Sequence, residues 1–335
     1  MKEAYLYSYT GKDKIRCDLC SHRCVIGLGE KGKCNVRENI EGKLFTLVYD
    51  KIISENVDPI EKKPLYHFLP GSLSLSIATP GCNFKCFFCQ NYEISQMPSD
   101  AGYIQGKDIS PDCIVEDALK NKCESISYTY TEPTIFFELA YDTAKLANKK
   151  GLKNVFVTNG YMTEDCIDMI SPYLDAANVD LKSFSDRFYR DNAGARLKPV
   201  LDNIKYLREE GIWLEITTLL IPGLNDSTEE IRKIAVFIKS IGKDIPWHIS
   251  AYYPRYKAKI APTEATSIKK AIGIAKEIGL LHPYAGNIHG SDFENTICPN
   301  CGEVFITRNG YYIVKNNIHK NKCRRCGKEI DGVFD

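Results

Sequence analysis

Thr79-Pro-Gly-Cys82-Asn-Phe-Lys-Cys86-Phe-Phe-Cys89-Gln-Asn91 places three cysteines at C-x3-C-x2-C spacing, directly after the apolar run Leu73 to Ala78. Three thiolates on one tight loop can hold three irons of a [4Fe-4S] cube, because such clusters are held by cysteine thiolates close together in sequence. The fourth iron would then lack a protein ligand and be free to bind something else. A zinc knuckle is the competing explanation. Structural zinc wants four ligands, usually as two separated pairs, and no nearby Cys or His completes this set.

Outward from the loop, residues 73–290 alternate between strand-like and helix-like stretches. Apolar, β-branched or aromatic runs occur at Leu73–Thr79, Ser125–Tyr130, Asn154–Thr158, Ala177–Leu181, Trp213–Ile221 and Trp247–Tyr252. Helical stretches lie between them, at Pro133–Lys149, Thr163–Tyr173, Lys198–Glu210, Thr228–Ile241 and Thr266–Ile278. Six strands alternating with helices predict parallel βα units, and the count suits an open (βα)6 barrel better than a doubly wound sheet. In βα barrels the active site forms at the C-terminal ends of the strands. There the chain carries the cysteine loop after strand one and Thr129-Tyr-Thr131-Glu132-Pro133 after strand two. Thr158-Asn159-Gly160 follows strand three, Asp180-Leu-Lys182 ends strand four, and Ile221-Pro-Gly-Leu-Asn225-Asp226 follows strand five. Strand six carries His248 and runs on to Tyr252-Tyr253-Pro254-Arg255. Any one of these could be a helix cap, as Asp226 with Ser227 and Glu230 illustrates. Their repetition at every strand end predicts a site.

The cysteine motif, with the aromatic Phe88 before its last cysteine, resembles that of the radical S-adenosylmethionine (SAM) superfamily. The resemblance implies a partial (βα)6, TIM-like barrel in which the open iron chelates the amino and carboxylate groups of SAM. One electron from the cluster splits SAM into methionine and a 5′-deoxyadenosyl radical, which abstracts hydrogen from a substrate. The whole barrel is similar to the activating-enzyme branch, which includes the pyruvate formate-lyase activating enzyme. By that resemblance, Thr131-Glu132-Pro133 stands in place of a Gly-Gly-Glu-Pro-like motif that binds the SAM amino group. Asp180 would bind the ribose hydroxyls and Lys182 the SAM carboxylate, both sensible pairings. Asn159 is a further candidate at the end of strand three. The segment containing Asn225 resembles one that packs beside the ribose and adenine, and His248 or Tyr253 stands for a histidine that helps hold SAM.

Across its full length the chain is similar to the radical SAM component of the AmmeMemoRadiSam system. The carrying segments are the early cysteine module, Asp58-Pro-Ile-Glu-Lys-Lys-Pro-Leu-Tyr-His67-Phe, Cys82 through Gln96, Trp247-His-Ile-Ser250 and the C-terminal cysteine pairs. That family is named for its association with Memo-like and AMMECR-like proteins, which the resemblance implies as partners. A reducing electron donor such as ferredoxin or flavodoxin is implied as well.

The cysteines outside the loop mark two end modules. Of 14 in all, Cys17, Cys20, Cys24 and Cys34 fall in residues 1–45, and Cys298, Cys301, Cys323 and Cys326 in residues 291–335. Close C-x2-C spacing in a chain without a secretion signal reads as metal sites rather than disulfides. The first set, with glycines between its members, suits zinc or a second [4Fe-4S] cluster equally well; His22 is a surplus ligand better read as a surface residue. The second set has the two-pair spacing of a structural zinc ribbon. Its basic residues Lys320, Lys322, Arg324 and Arg325 read as a solvated face. Residues 46–72 form a turn-rich connecting arm with no assigned chemistry, and Cys113, Cys123 and Cys166 are expected to pack as small buried hydrophobes.

A net charge of +1, 44% hydrophobic and 26% charged residues describe an ordinary soluble domain and give no reason to expect a general nucleic-acid or membrane-surface binder. No run of about 18 apolar residues appears and the N-terminus lacks an apolar signal segment, so a cytoplasmic protein is expected. Its host compartment would be anoxic or well reduced. Three functions follow: hydrogen abstraction from a substrate held in the barrel, activation of a partner enzyme by forming a glycyl radical, or a zinc-bearing adaptor built on a degenerate barrel. The intact cysteine loop and Asp180-Leu-Lys182 favour the first two.

Overall fold

An eight-stranded sheet occupies the centre of the structure, a computed structural model that describes residues 1–11, 13–288, 292–318 and 321–334. Its strands are β1 (Ser54–Pro59), β2 (Leu73–Ala78), β3 (Ser125–Tyr128), β4 (Lys153–Thr158), β5 (Ala176–Asp180), β6 (Trp213–Leu220), β7 (Trp247–Ala251) and β8 (Pro283–Gly286). Each is hydrogen-bonded to its neighbours in chain order. Strands β2 to β8 run parallel, and β1 lies antiparallel to β2 at the edge. All six predicted strands are present as β2 to β7, giving the expected partial barrel. β1 and β8 add to that count. Their sequences, Ser-Glu-Asn-Val-Asp-Pro and Pro-Tyr-Ala-Gly, lack the apolar run that marks the others.

The inner strands are buried along their length, and all five residues of β7 are buried. That is the pattern of parallel strands covered by helices. Helices Phe137–Lys149, Glu164–Ile170, Leu197–Glu209, Thr228–Ile241 and Ala265–Ile278 follow β3 to β7 as predicted. Two more of at least eight residues were not predicted, Pro111–Lys120 and Asp186–Ala193. The first is started by Ser110, whose hydroxyl accepts from Cys113 N (3.3 Å), with proline at the first helical position. Its buried face is Pro111, Ile114, Val115 and Ala118, which turns Cys113 outward. Cys113 is therefore exposed, against expectation, whereas Cys123 and Cys166 are buried.

Below the strands, the arm from Ile60 to Gly71 crosses the floor of the barrel. Glu215, buried on β6, accepts from Tyr66 N (2.9 Å), His67 N (2.8 Å) and Trp213 Nε1 (3.1 Å), so one carboxylate fixes the arm. The N-terminal segment forms two three-stranded antiparallel sheets. A fully buried ion pair between Arg37 and Glu138 ties it to helix Phe137–Lys149. At the other end, Thr296–Ile297, Val304–Asn309 and Tyr312–Asn316 make a small antiparallel sheet. It docks against the arm through Leu69 N to Val333 O (2.7 Å) and Arg308 Nη2 to Tyr66 O (2.8 Å). The expected boundary between residues 290 and 291 lies outside the described residues.

Candidate active site and metal centres

The cysteine loop leaves β2 and folds across the C-terminal ends of the strands. Gly81 makes the turn at φ +112°, where a Cβ would lie 2.8 Å from Val36 Cγ1, so only glycine suits. Phe84 packs edge-on to Tyr161 and Tyr189, and Phe88 packs against Phe188. Backbone bonds from Lys85 N to Ala193 O (2.9 Å), Gly81 N to Ile94 O (3.1 Å) and Lys257 N to Phe87 O (3.1 Å) pin the loop on three sides. Cys82, Cys86 and Cys89 are thereby presented to one cavity of about 390 Å³. Burial pushes the Cys86 thiol up to about 12, and pushes Cys82 well above the ordinary thiol range. Such thiols ionise when a metal group takes the proton's place. Phe84 N donates to Cys82 Sγ (3.4 Å), the kind of contact that tunes a cluster. The donor set fits a three-thiolate [4Fe-4S] cluster.

Thr131, Glu132, Asn159, Asp180 and Lys182 line the same cavity. Lys182 Nζ lies 2.9 Å from Asp180 Oδ2. Burial works against the Lys182 ammonium, but Asp180 and Cys86 outweigh it and hold its pKa above the ordinary lysine value. Glu132 is fully engaged. Its Oε1 accepts from Thr134 N (3.1 Å), Thr134 Oγ1 (2.6 Å) and Thr158 Oγ1 (2.7 Å), and its Oε2 from Asn159 N (2.8 Å). The carboxylate thus ties the ends of β3 and β4 together. Asn159 Nδ2 donates to Asn83 Oδ1 (2.7 Å), linking β4 to the cysteine loop. Thr131 Oγ1 donates to Thr79 O (2.9 Å). Tyr130 beside it adopts φ +62°, a conformation natural to glycine, at the place where the activating-enzyme motif has one.

Asn225 and His248 sit apart from this cavity. Asn225 is buried behind it, donating to Lys182 O (2.7 Å) and Leu219 O (2.9 Å) while accepting from Ile221 N (2.6 Å). It positions the backbone that carries Lys182. His248 points to the barrel floor, 2.6 Å from Glu215 Oε2 and packed against Tyr66 and Tyr284. Tyr253, the other candidate for that role, is exposed.

At the C-terminus, Cys298, Cys301, Cys323 and Cys326 bring their ligand atoms within 4.8 Å of one another. Cys298 Sγ to Cys326 Sγ and Cys301 Sγ to Cys323 Sγ are both 3.6 Å. Zinc–sulfur bonds of about 2.3 Å give a tetrahedral edge of about 3.8 Å, so the set fits one such ion. Gly302 and Gly327 take φ +75° and +71°, turning the backbone under each pair. Lys322, Arg324 and Arg325 are exposed; Lys320 lies outside the described residues. The N-terminal Cys17, Cys20, Cys24 and Cys34 line a second, smaller cavity together with His22, which is half-buried.

A profile of the radical SAM superfamily matches residues 76–235. An uncharacterized protein of Methanocaldococcus jannaschii is 41% identical over 338 residues, covering 100% of both chains. A second protein of that organism, provisionally named a glycyl-radical enzyme activating enzyme, is 31% identical over 228 residues, covering 66% of this chain and 82% of its own. The chain belongs to the radical SAM superfamily. SuiB of Streptococcus suis bound to S-adenosylmethionine shares the fold, with a TM-score of 0.52 at 16% identity over 69% of this chain and 53% of SuiB. Superfamily membership makes the chain an enzyme that uses a [4Fe-4S] cluster and SAM, and Cys82, Cys86 and Cys89 lie within the matched residues.

Several residues of this radical SAM enzyme border the site without having been candidates for it. Lys62, Thr217, Ser250, Asn287 and Tyr311 line the cavity. Asp58, from the arm assigned no chemistry, accepts from Lys62 (2.8 Å), from buried Lys63 (2.7 Å) and from Tyr130 OH. Despite burial, these donors hold the Asp58 carboxyl well below the usual range. The network also holds Tyr130 in its left-handed conformation. Alternating Asp and Lys in a turn look like solvated charges until the fold turns them inward.

Proposed function

We propose that the enzyme abstracts hydrogen from an unactivated carbon of a substrate seated in the barrel cavity, as the radical SAM component of the AmmeMemoRadiSam system. The observation that carries this reading is the convergence of Cys82, Cys86, Cys89, Thr131, Glu132, Asn159, Asp180 and Lys182 on one cavity. When bound, a reduced [4Fe-4S] cluster supplies the electron that cleaves SAM to methionine and a 5′-deoxyadenosyl radical. The chain's own residues do the rest. Lys182 faces the SAM carboxylate and Asp180 the ribose hydroxyls, while Glu132 holds the backbones of Thr134 and Asn159 in place. Asn225 and His248 act from outside the cavity, by fixing strand ends and floor. The C-terminal cysteines hold zinc, and the N-terminal set holds a further metal centre. The organisation is residues 1–45, 46–72, 73–290 and 291–335, working in an anoxic cytoplasm with ferredoxin or flavodoxin as reductant and Memo-like and AMMECR-like proteins as partners.

A second reading is activation of a glycyl-radical enzyme, favoured by the name of the 31% identical relative. The test is anaerobic reconstitution with iron and sulfide, followed by reductant and SAM, with 5′-deoxyadenosine read by mass spectrometry beside a Cys86→Ala control. Product from the wild type alone supports the reading, and deuterium transfer from a candidate small substrate or a glycyl-radical protein then separates the two versions. Absence of both product and SAM binding returns the chain to the zinc-bearing adaptor.

A further inference from the structure

We infer that Cys17, Cys20, Cys24 and Cys34 hold a second [4Fe-4S] cluster rather than a zinc ion, one residue layer from the first. The Cys82 loop is the internal standard, and the inference rests on that loop being a cluster site. All four N-terminal thiols line one enclosed cavity, which Arg37 and Asn83 help to close.

Spacing separates the two metals. Among the described residues, the C-terminal four are the group whose ligand atoms all lie within 4.8 Å of one another. Neither the radical SAM trio nor any three of the N-terminal cysteines meets that limit. A single tetrahedral ion draws its sulfurs to edges of about 3.8 Å. A cube takes one thiolate at each of four iron corners and holds them farther apart. The same chain therefore shows a contracted set that suits one ion and two wider sets, one of which carries the superfamily's cluster motif.

Arg37 is the second observation. Its guanidinium is fully buried and lines the cavity, with Nη1 4.0 Å from Cys17 Sγ. Glu138 engages Nη2, while Nε has no hydrogen-bond partner among the described residues. A buried N–H without an acceptor is costly. A zinc tetrathiolate offers only the four cysteine sulfurs, whereas a cube adds four sulfides, which are acceptors for a donor in the cavity wall. Hydrogen bonds of this kind to cluster sulfur are one means by which proteins set reduction potential.

The placement is the third. Asn83, next to Cys82, forms part of the cavity wall, and its carbonyl meets His22 Nε2 at 2.8 Å. A Cβ on Gly81 would lie 3.6 Å from Cys34 O. The two cysteine sets thus share the wall formed by Gly81 to Asn83.

Metal counting decides the matter on the full chain reconstituted anaerobically with iron, sulfide and zinc. Two cubes give about eight irons per wild-type chain beside one zinc, and about four irons in a Cys82→Ala/Cys86→Ala/Cys89→Ala variant. The reduced cluster left in that variant gives an EPR signal that SAM does not alter, because every iron already has a thiolate. A Cys20→Ala/Cys24→Ala variant keeps about four irons and a SAM-responsive signal; if it fails to fold, the triple variant decides alone. About four irons and two zincs in the wild type, or a triple variant devoid of iron, would overturn the inference. About eight irons without any SAM response would instead sink the radical SAM reading and leave the second cluster standing.

Discussion

Changing Glu132 to Gln separates two roles for this carboxylate, a direct ligand of SAM or a clamp on the strands that shape its cavity. Its two oxygens accept four hydrogen bonds, all from residues of the chain itself. With the Gln oxygen in the Oε1 place, three bonds persist but lose their charge assistance, about 1 kcal/mol each. The new NH2 meets Asn159 N–H donor to donor, leaving that buried group unsatisfied for about 1–3 kcal/mol more. Burial raises the Glu132 pKa in the folded chain, so removing the charge returns part of that sum. The net expectation is about 2–4 kcal/mol of destabilisation in the SAM-free protein. SAM affinity then falls at least about tenfold, the equivalent of about 1.4 kcal/mol, as Thr131 and Asn159 shift. Thr158→Val, which removes one donor, moves both quantities the same way by about 1 kcal/mol. Denaturant unfolding without SAM and anaerobic calorimetry with it give the two readouts. An E132Q protein as stable as wild type that has lost SAM affinity would refute the clamp and make Glu132 a direct ligand.

Lys182→Met should retain its iron but bind SAM about ten- to a hundredfold more weakly, the loss of one charge-assisted hydrogen bond, measured by calorimetry on the reconstituted protein. His67 sits fully buried between Tyr284 OH (2.6 Å) and Asp331 O (2.6 Å), and burial, with His282 beside it, keeps its pKa well below the ordinary histidine value. The unfolded chain takes up a proton below pH about 6.5 that the folded chain refuses, so stability should fall as pH drops from there, and His67→Gln should flatten that slope of melting temperature against pH. Cys298→Ser/Cys301→Ser should abolish metal binding at the C-terminal cysteine group while the barrel still binds SAM. Limited proteolysis should then cut first within 296–330, where the small sheet has lost its metal tie.

The site was legible where chemistry lies close in the sequence. Cys82 to Cys89, Asp180 with Lys182 and the C-terminal cysteine pairs each carry their spacing within a few residues, and β2 to β7 announce themselves by apolar runs. What escaped depends on partners far apart in the chain. Glu215 interrupts the apolar start of β6, and its reason is a pair of amides almost 150 positions earlier. Asp58 and Lys63 look like surface charges in a turn until Tyr130 closes over them. β1 escaped because an edge strand half in water needs no apolar face, and β8 because four residues bounded by Pro and Gly resemble a turn. His248 was drawn toward the SAM site by its place late in the barrel, yet in the structure it faces down, to the carboxylate of Glu215.

The arm beneath the barrel has a consequence for turnover. With Glu215 bracing Tyr66 and His67 across the floor, and Lys62 and Pro64 of the same arm lining the cavity, the arm covers the end where the strands begin. Molecules bound deepest must arrive first and depart last. A substrate seated toward the floor would load ahead of SAM, which the cysteine loop holds at the strand ends, and the product would wait for methionine and 5′-deoxyadenosine to clear. Such a queue makes the kinetics ordered, so that excess SAM, by occupying the mouth too early, slows the cycle it is meant to feed.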